Sequence, residues 1–338
     1  MKLSGKPFAM GLATLASAIT FNAQAADITL TLGHVDPQEW TTSKKGAASQ
    51  VFKQLVEAES GGRIEVDIYP AGQLGGETDL VQSAQEGTLS MTMVSGAYAK
   101  VCPEASVLEI PYLFPSAPVA WEVLDHEFGQ ELGESCLGKT GLRTLAYGET
   151  GFRNFTNSKR AIAEPKDLEG LKIRVMTLPL YVEMVKAMGG EPTPIAWPEV
   201  PSALTTGVVD GQENPVSVIY SNKFYQFQKH LTLDGHVYGT DFLLINEDVF
   251  QGLSDEDKAI VERAAKVAGS VGRAIQQVNS AEGLTKLAEN GMTITTPTAE
   301  QLEKFRAAAQ PAVLEWLKGQ IGEEWINKAQ AAVKSATE

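Results

Sequence analysis

Hydrophobic and polar positions along this chain switch between two periods. Ile28-Thr29-Leu30-Thr31-Leu32-Gly33 alternates branched or apolar residues with polar ones, the period-2 signature of a strand. Between Ser43 and Ser60 the apolar residues Ala47, Val51, Leu55 and Ala58 recur every three to four positions. That spacing predicts an amphipathic helix, which Gly61-Gly62 stops. Ile64–Tyr69 returns to period 2 and ends at Pro70, Thr78–Glu86 predicts a second helix stopped by Gly87, and Leu89–Val94 a third strand. This β-α-β-α-β run is the pattern of a doubly wound sheet with helices on both faces. Gly141–Tyr147 and Leu171–Val175 read as further strands, Leu180–Ala187 as a helix, and Thr193–Ile195 as a short strand or turn. Val200–Thr206 reads as a helix and Val208–Gly211 as the strand after it, so a second such unit fills about residues 151–215. Ser254 to about Asn290 is a long helical stretch whose first turn carries Asp255, Glu256 and Asp257, where the helix dipole favours acids. Residues 299–309, 311–318 and 323–335 predict three more helical segments. No Pro/Ser-rich linker separates the two units, which implies a hinge of ordered crossover strands.

The first 25 residues carry a different pattern. Lys2 and Lys6 precede an apolar run from Phe8 to Ile19, and Ala23-Gln24-Ala25 is a small-residue cleavage site. This is the grammar of a secretory signal peptide, too short and wrongly flanked for a membrane span. Its loss would leave 313 of the 338 residues and, with two lysines gone, take the net charge from -14 to -16. An acidic surface of that kind disfavours nucleic acid and anionic membranes. It does not exclude a small anion held in a locally positive pocket. Export without an anchor points to a periplasm or the cell exterior. There Cys102 and Cys136, with 33 residues between them, are either bridged or left as two thiols.

Catalytic motifs are missing. There is no G-x-G-x-x-G after a strand, no Walker A loop, no G-x-S-x-G and no C-x-x-C. The four histidines, His34, His126, His230 and His236, have no metal-ligand spacing. No cofactor or metal is expected. What remains is a set of polar groups in apolar context. Arg174 alternates with Ile173 and Val175 near the carboxyl end of a strand, where doubly wound sheets bind ligands. A guanidinium there presents a planar fork to a carboxylate. Arg153 sits in a Gly-Phe-Arg-Asn-Phe segment at the boundary of the two units, where clefts form. Asn214, held out of helix geometry by Pro215, both donates and accepts. Trp197, between Ala196 and Pro198, is placed to wall a pocket or to pack.

At these residues the chain resembles a known family. Gly-Leu-Lys-Ile-Arg-Val (170–175), Pro-Thr-Pro-Ile-Ala-Trp-Pro-Glu-Val (192–200) and Val-Val-Asp-Gly-Gln-Glu-Asn-Pro (208–215) are similar to segments of the DctP-type substrate-binding proteins of TRAP transporters. So are Tyr-Pro-Ala-Gly-Gln-Leu-Gly (69–75), Leu-Glu-Ile-Pro-Tyr-Leu-Phe (108–114) and Lys-Phe-Tyr-Gln-Phe-Gln-Lys-His-Leu (223–231). The resemblance runs in order from about residue 28 to 330. It implies an α/β, two-lobed periplasmic-binding-protein fold: two doubly wound sheets, a hinge and a long C-terminal helical segment. The implied lobes are 26–150 with about 239–278, and 151–238 with about 279–338.

The same resemblance implies capture of a small organic acid and its delivery to TRAP membrane subunits by a periplasmic monomer. Arg174 would grip the carboxylate, with Arg153 and Asn214 beside it and Trp197 as a wall. Ser95, Tyr98, Glu77, Val35, Asp36, Tyr238 and Asp241 follow as further contacts. Glu77, Asp36 and Asp241, if they line the cleft, favour a hydroxylated acid over a second carboxylate. Arg153 and Arg174, unliganded, are expected to repel each other and hold the cleft open. The competing reading is a secreted enzyme using cleft Glu or Asp residues on a carboxylated substrate.

Overall fold

The computed structural model describes residues 1–2 and 26–338, so the expected signal peptide lies almost wholly outside the described residues. Among the described residues nine strands form the sheet: β1 Ile28–His34, β2 Ile64–Tyr69, β3 Met91–Val94, β4 Leu142–Asn157, β5 Lys172–Val175, β6 Glu191–Pro194, β7 Gly211–Asn214, β8 His230–Asn246 and β9 Thr293–Thr295. Their order is β2-β1-β3-β8-β4-β7-β5-β6, with β9 also paired to β8. The pattern-based expectation was two doubly wound sheets; here the two are halves of one. Each half is a parallel triplet, β2-β1-β3 or β7-β5-β6, with the helical crossovers that parallel pairing requires. Between them run β4 and β8, antiparallel to each other and long enough to serve both triplets. Met91 of β3 pairs with Ile245 of β8, while Asn154 of β4 pairs with Asn214 of β7. These are the ordered crossover strands that the lack of a linker implied.

Local chemistry sets the element ends. Ser43 caps the helix Lys44–Glu59 by accepting a hydrogen bond from Gly46 N. Ser254 does the same for the helix Asp255–Glu289, accepting from Asp257 N. Those 35 residues, about 52 Å long at 1.5 Å per residue, pack on the first helix, on β4 and on the helix Val216–Ser221. The element therefore backs both halves of the sheet. Two expected segments fuse: Ala299–Ile321 is a single helix with Pro311 inside it. Val208–Asp210, expected as the start of a strand, is a bend, and the strand begins only at Gly211. The last helix, Glu324–Thr337, returns towards the first half, with Trp325 edge-on to Phe128.

Cys102 and Cys136 are bridged, with their Cα atoms 5.4 Å apart, which ties the segment before the helix Glu127–Thr140 to that helix. The core has three parts. One face of the first half buries Leu30, Phe52, Ile64 and Val261, and one face of the second buries Val200, Ile219, Phe224 and Leu287. The largest cluster runs without interruption across both halves, from Val94 and Leu108 through Phe155 to Ile173, Leu180 and Phe305.

Candidate functional site

The carboxyl ends of β1 and β3 in one half face those of β5 and β7 in the other across a cavity of about 260 Å³. This is slightly below the ~300–1,000 Å³ range of drug-sized sites and suits a small ligand. Its rims touch. A Cβ placed on Gly96 would lie 2.9 Å from Met176 Cε, and Gly76 approaches Ala196 and Pro198, so the two halves are closed over the cavity.

Val35, Asp36, Glu77, Ser95, Arg153, Arg174, Trp197 and Asn214, all predicted from sequence, line this space. Arg174 leaves β5 with only 2% of its surface exposed. Its Nε and Nη2 both donate to the carbonyl of Ile195, at 2.9 and 2.6 Å. Its Nη1 is buried and has no partner. Among the described residues no carboxylate lies in ion-pair contact with it. Burial pulls Arg174 down to about 10, Glu213 opposing and Arg153 adding to the effect. A guanidinium remains protonated under such conditions, so this is a buried cation with a free donor. Trp197 covers it, with the guanidinium carbon 5.7 Å from the ring centroid.

Arg153 behaves differently, and here the expected repulsion is corrected. Its Nε and Nη2 donate to the two carboxylate oxygens of Glu213, at 2.5 and 2.8 Å, a two-pronged pair with neither side chain exposed. Glu213 also faces His236 Nε2 at 3.2 Å, and His236 Nδ1 meets Asp234 at 2.7 Å. Burial alone would raise Glu213, but Arg153 and His236 overcome it and hold the carboxyl at about 2. Burial alone would lower His236, but Asp234 and Glu213 hold it at about 9. The charges of Arg153, Glu213, His236 and Asp234 therefore cancel in place. Arg153 and Arg174 do not form an unscreened like-charge pair. Asn214 donates to Gln212 Oε1 at 2.6 Å, which fixes the amide beside the cavity.

The opposite end holds residues that sequence reasoning missed. Lys44 and Lys45 start the first helix and are 5% and 3% exposed. Lys44 Nζ lies 2.6 Å from Asp241 and 3.4 Å from Asp36; Lys45 Nζ lies 2.6 Å from Glu77 and 3.4 Å from Asp241. Two cations in the first turn oppose the helix dipole. That anomaly calls for anionic partners, but which carboxylates these are only the fold shows. Glu77 is further fixed by Ser95, whose backbone N–H and hydroxyl both donate to it. Burial raises Asp36, but Lys44 and Lys45 overcome this and hold it at about 2.

Three predicted contacts do not line the cavity. Tyr98 is fully buried against Phe242, with its hydroxyl at Thr140 and the Leu142 carbonyl. Tyr238 sits under Trp121, whose indole N–H is shared between Tyr238 Oη and Glu149. Asp241 lies behind the lysines and reaches the space only through them and through Thr150. In each case the polar group finds its partner inside the protein. Among the described residues, no cluster of three or more His, Cys, Asp or Glu suits a metal ion.

Two α/β halves closed over a buried, unpaired cation define a ligand-capturing binding protein. The chain belongs to the DctP family, bacterial extracellular solute-binding protein family 7, whose model matches residues 32–320. A solute-binding protein of Verminephrobacter eiseniae is 40% identical over 293 residues, covering 85% of this chain and 86% of its own. The sugar acid binding protein DctPAm from Advenella mimigardefordensis, solved with galactonate, superposes with a TM-score of 0.87 at 33% identity, covering 93% of this chain and 100% of that one. A TRAP periplasmic solute binding protein from Polaromonas, bound to D-erythronate, gives 0.84 at 37% identity, covering 90% and 98%. The chain is thus a TRAP-type substrate-binding protein and not an enzyme, which sets aside the competing reading.

Proposed function

We propose that this protein captures a small organic acid in the periplasm, with the ligand carboxylate at Arg174, and delivers it as a monomer to TRAP membrane subunits. The observation that carries the reading is Arg174 itself: a buried cation that, among the described residues, has no carboxylate partner and leaves Nη1 unpartnered. A buried donor left unmade costs about 1–3 kcal/mol, more when charged. A ligand carboxylate supplies the missing acceptor and the missing charge together. Arg153, already neutralised by Glu213, adds a donor beside it rather than a second net charge. Trp197 and Asn214 fix the plane and position of the bound group. The ligands named for the galactonate- and D-erythronate-bound relatives, both carboxylates, support this chemistry.

The lobes are 26–150 with about 239–278, and 151–238 with about 279–338. The register shift between Glu149 and Gly151, opposite Thr240 and Gly239, supports a hinge there. Gly151 has φ near +100°, and a Cβ on it would meet Gln276 Nε2 at 2.5 Å, so this bend needs glycine. A ligand touching both lobes favours the closed form by its differential affinity. Titration calorimetry with a panel of organic acids tests the reading. Stoichiometric binding with the acid recovered unchanged is expected; absence of binding by every carboxylate, or turnover of one, would overturn it.

A further inference from the structure

We propose that Glu109 takes up one proton when the two halves close, so that capture of the organic acid is coupled to proton binding and tightens as the pH falls. The inference rests on the lobes and the ligand-driven closure given above, and it concerns a residue that does not line the cavity.

Position is the first ground. Glu109 ends the helical turn Pro103–Glu109 in the first lobe, and Tyr181 lies in the helix Pro179–Ala187 of the second. Tyr181 Oη donates to Glu109 Oε2 at 2.5 Å, with Glu109 1% exposed and Tyr181 fully buried. Beside them the halves touch again. A Cβ on Gly96 would lie 3.3 Å from Glu109 Oε1 and 2.9 Å from Met176 Cε. The carboxyl is therefore sealed by contacts between the lobes. Opening parts Tyr181 from Glu109 and admits water to it.

Charge is the second ground. Glu213 shows how this fold keeps a buried carboxylate ionised: Arg153 grips it in two prongs and His236 faces it. Among the described residues no basic side chain forms an ion pair with Glu109, and its bond is to a neutral hydroxyl. Arg153 stands over the Tyr181 ring, 5.3 Å from its centroid, with its charge committed to Glu213. The other basic groups on elements packed around this turn are engaged elsewhere: Lys100 with Thr78, Lys139 with Glu104, His236 with Asp234 and Glu213, Arg306 with Glu303, and Lys328 with Glu131 and Glu324. An ionised carboxyl sealed in such a place is costly, and protonation removes the cost. Burial accordingly raises Glu109 from 4.5 to about 7, with Tyr181 and Arg153 opposing and Glu213 and Glu77 adding.

The sign follows. In the open form Glu109 meets water and titrates near its ordinary value of 4.5; between that value and about 7 the closed form holds a proton that the open form lacks. Affinity rises as pH falls through about 7 and levels off near 4.5. The proton comes from the solvent on closure and returns to it on opening.

Calorimetry on the full-length mature chain with D-erythronate, galactonate, galacturonate and pantoate tests the coupling, because these acids stay ionised from about pH 6 to pH 8. At about pH 6, runs in two buffers of different ionisation heat should show uptake of about one proton per acid bound, and at about pH 8 almost none. Binding should be ~10-fold tighter at the lower pH. Glu109→Gln, a permanently neutral amide, is expected to abolish the uptake and to keep the tighter affinity at both pH values. Tyr181→Phe keeps the ring under Arg153 and removes the donor, so the uptake should persist with its midpoint moved to higher pH. Equal affinity at both pH values in the wild type overturns the proposal. So does a pH dependence that survives Glu109→Gln or is unmoved by Tyr181→Phe. Binding of none of the four acids overturns instead the reading of Arg174, and the proposal with it.

Discussion

The two ends of the cavity solve opposite problems with similar residues. At the β5–β7 end two arginines stand together, yet only one is left with charge to spare. Glu213 grips Arg153 by both prongs, while Arg174 is tied to a neutral carbonyl. At the β1–β3 end two lysines stand together and neither is left over, because three carboxylates surround them. Counting basic residues would have marked both ends as anion sites. Their partners make one end a cationic socket and the other a mildly anionic wall. A ligand that is anionic at one end only fits in one orientation.

Breaking the arginine end at its support should have the largest effect. Glu213→Gln leaves both Arg153 and His236 buried without their shared carboxylate. A loss of about 3–5 kcal/mol of stability is expected, the cost of breaking a buried pair from one side, read from urea denaturation. The wild-type carboxyl, held near 2, contributes stability that is present above its ordinary value of 4.5 and lost as pH falls through about 2. The variant should lack that acid limb. If it is as stable as wild type, the charges at this end are not coupled as the geometry indicates.

Arg174→Lys comes next. An ammonium cannot keep two bonds to the Ile195 carbonyl and still offer a fixed donor to a ligand. About 2–3 kcal/mol of affinity should go, with little change in melting temperature. Calorimetry on the ligand found for the wild type decides it, and unchanged affinity would remove Arg174 from the site.

Glu109 sharpens the comparison between the ends. It lies buried between them, accepting a 2.5 Å hydrogen bond from Tyr181 of the other half. Burial raises it to about 7, with Tyr181 and Arg153 opposing. An acid raised in the folded state contributes stability that is complete below its unfolded value of 4.5 and lost as pH rises through about 7. Glu109→Gln should flatten the stability difference between about pH 4 and pH 8. A variant with the wild-type slope would assign that slope to another group.

The smallest effect is expected at Trp197→Leu, which removes the ring covering Arg174. About 1 kcal/mol of affinity should follow, the scale of a partly buried cation–π contact. A larger loss would make Trp197 a principal ligand contact.

The arginine end was legible because motifs mark it. Arg174 and Asn214 stand at strand ends flanked by apolar residues and proline, and each lines the cavity as expected. The lysine end was not. Lys44-Lys45 looks like the polar start of an amphipathic helix, and only the fold brings Asp241, nearly two hundred residues away, against them. Glu213 was visible as a residue in its motif but not as the partner of Arg153, because their contact depends on the β4–β7 register. Tyr98 and Tyr238 were misplaced for a related reason. An aromatic residue after a strand faces a cleft or the core with equal local logic, and core packing decided. The helices beginning at Lys44 and Asp255 were well bounded because Ser43 and Ser254 cap them. The 17-residue β8 went unpredicted, since its hydrophobic run is interrupted by Asp234, Gly235, His236 and Gly239, all needed at the crossing.

The pairing of β3 with β8 has one more consequence, in time rather than in space. Met91 waits for Ile245, about one hundred and fifty residues later, before its edge is covered. The second half waits too, since its β9 edge comes from Thr293–Thr295. Contacts so distant along the chain make folding slow and leave open strand edges on the way. Neither half is complete on its own stretch of sequence. A fragment ending near residue 150 would keep the β1–β2 and β1–β3 pairings and lack β8, the strand that covers the other edge of β3.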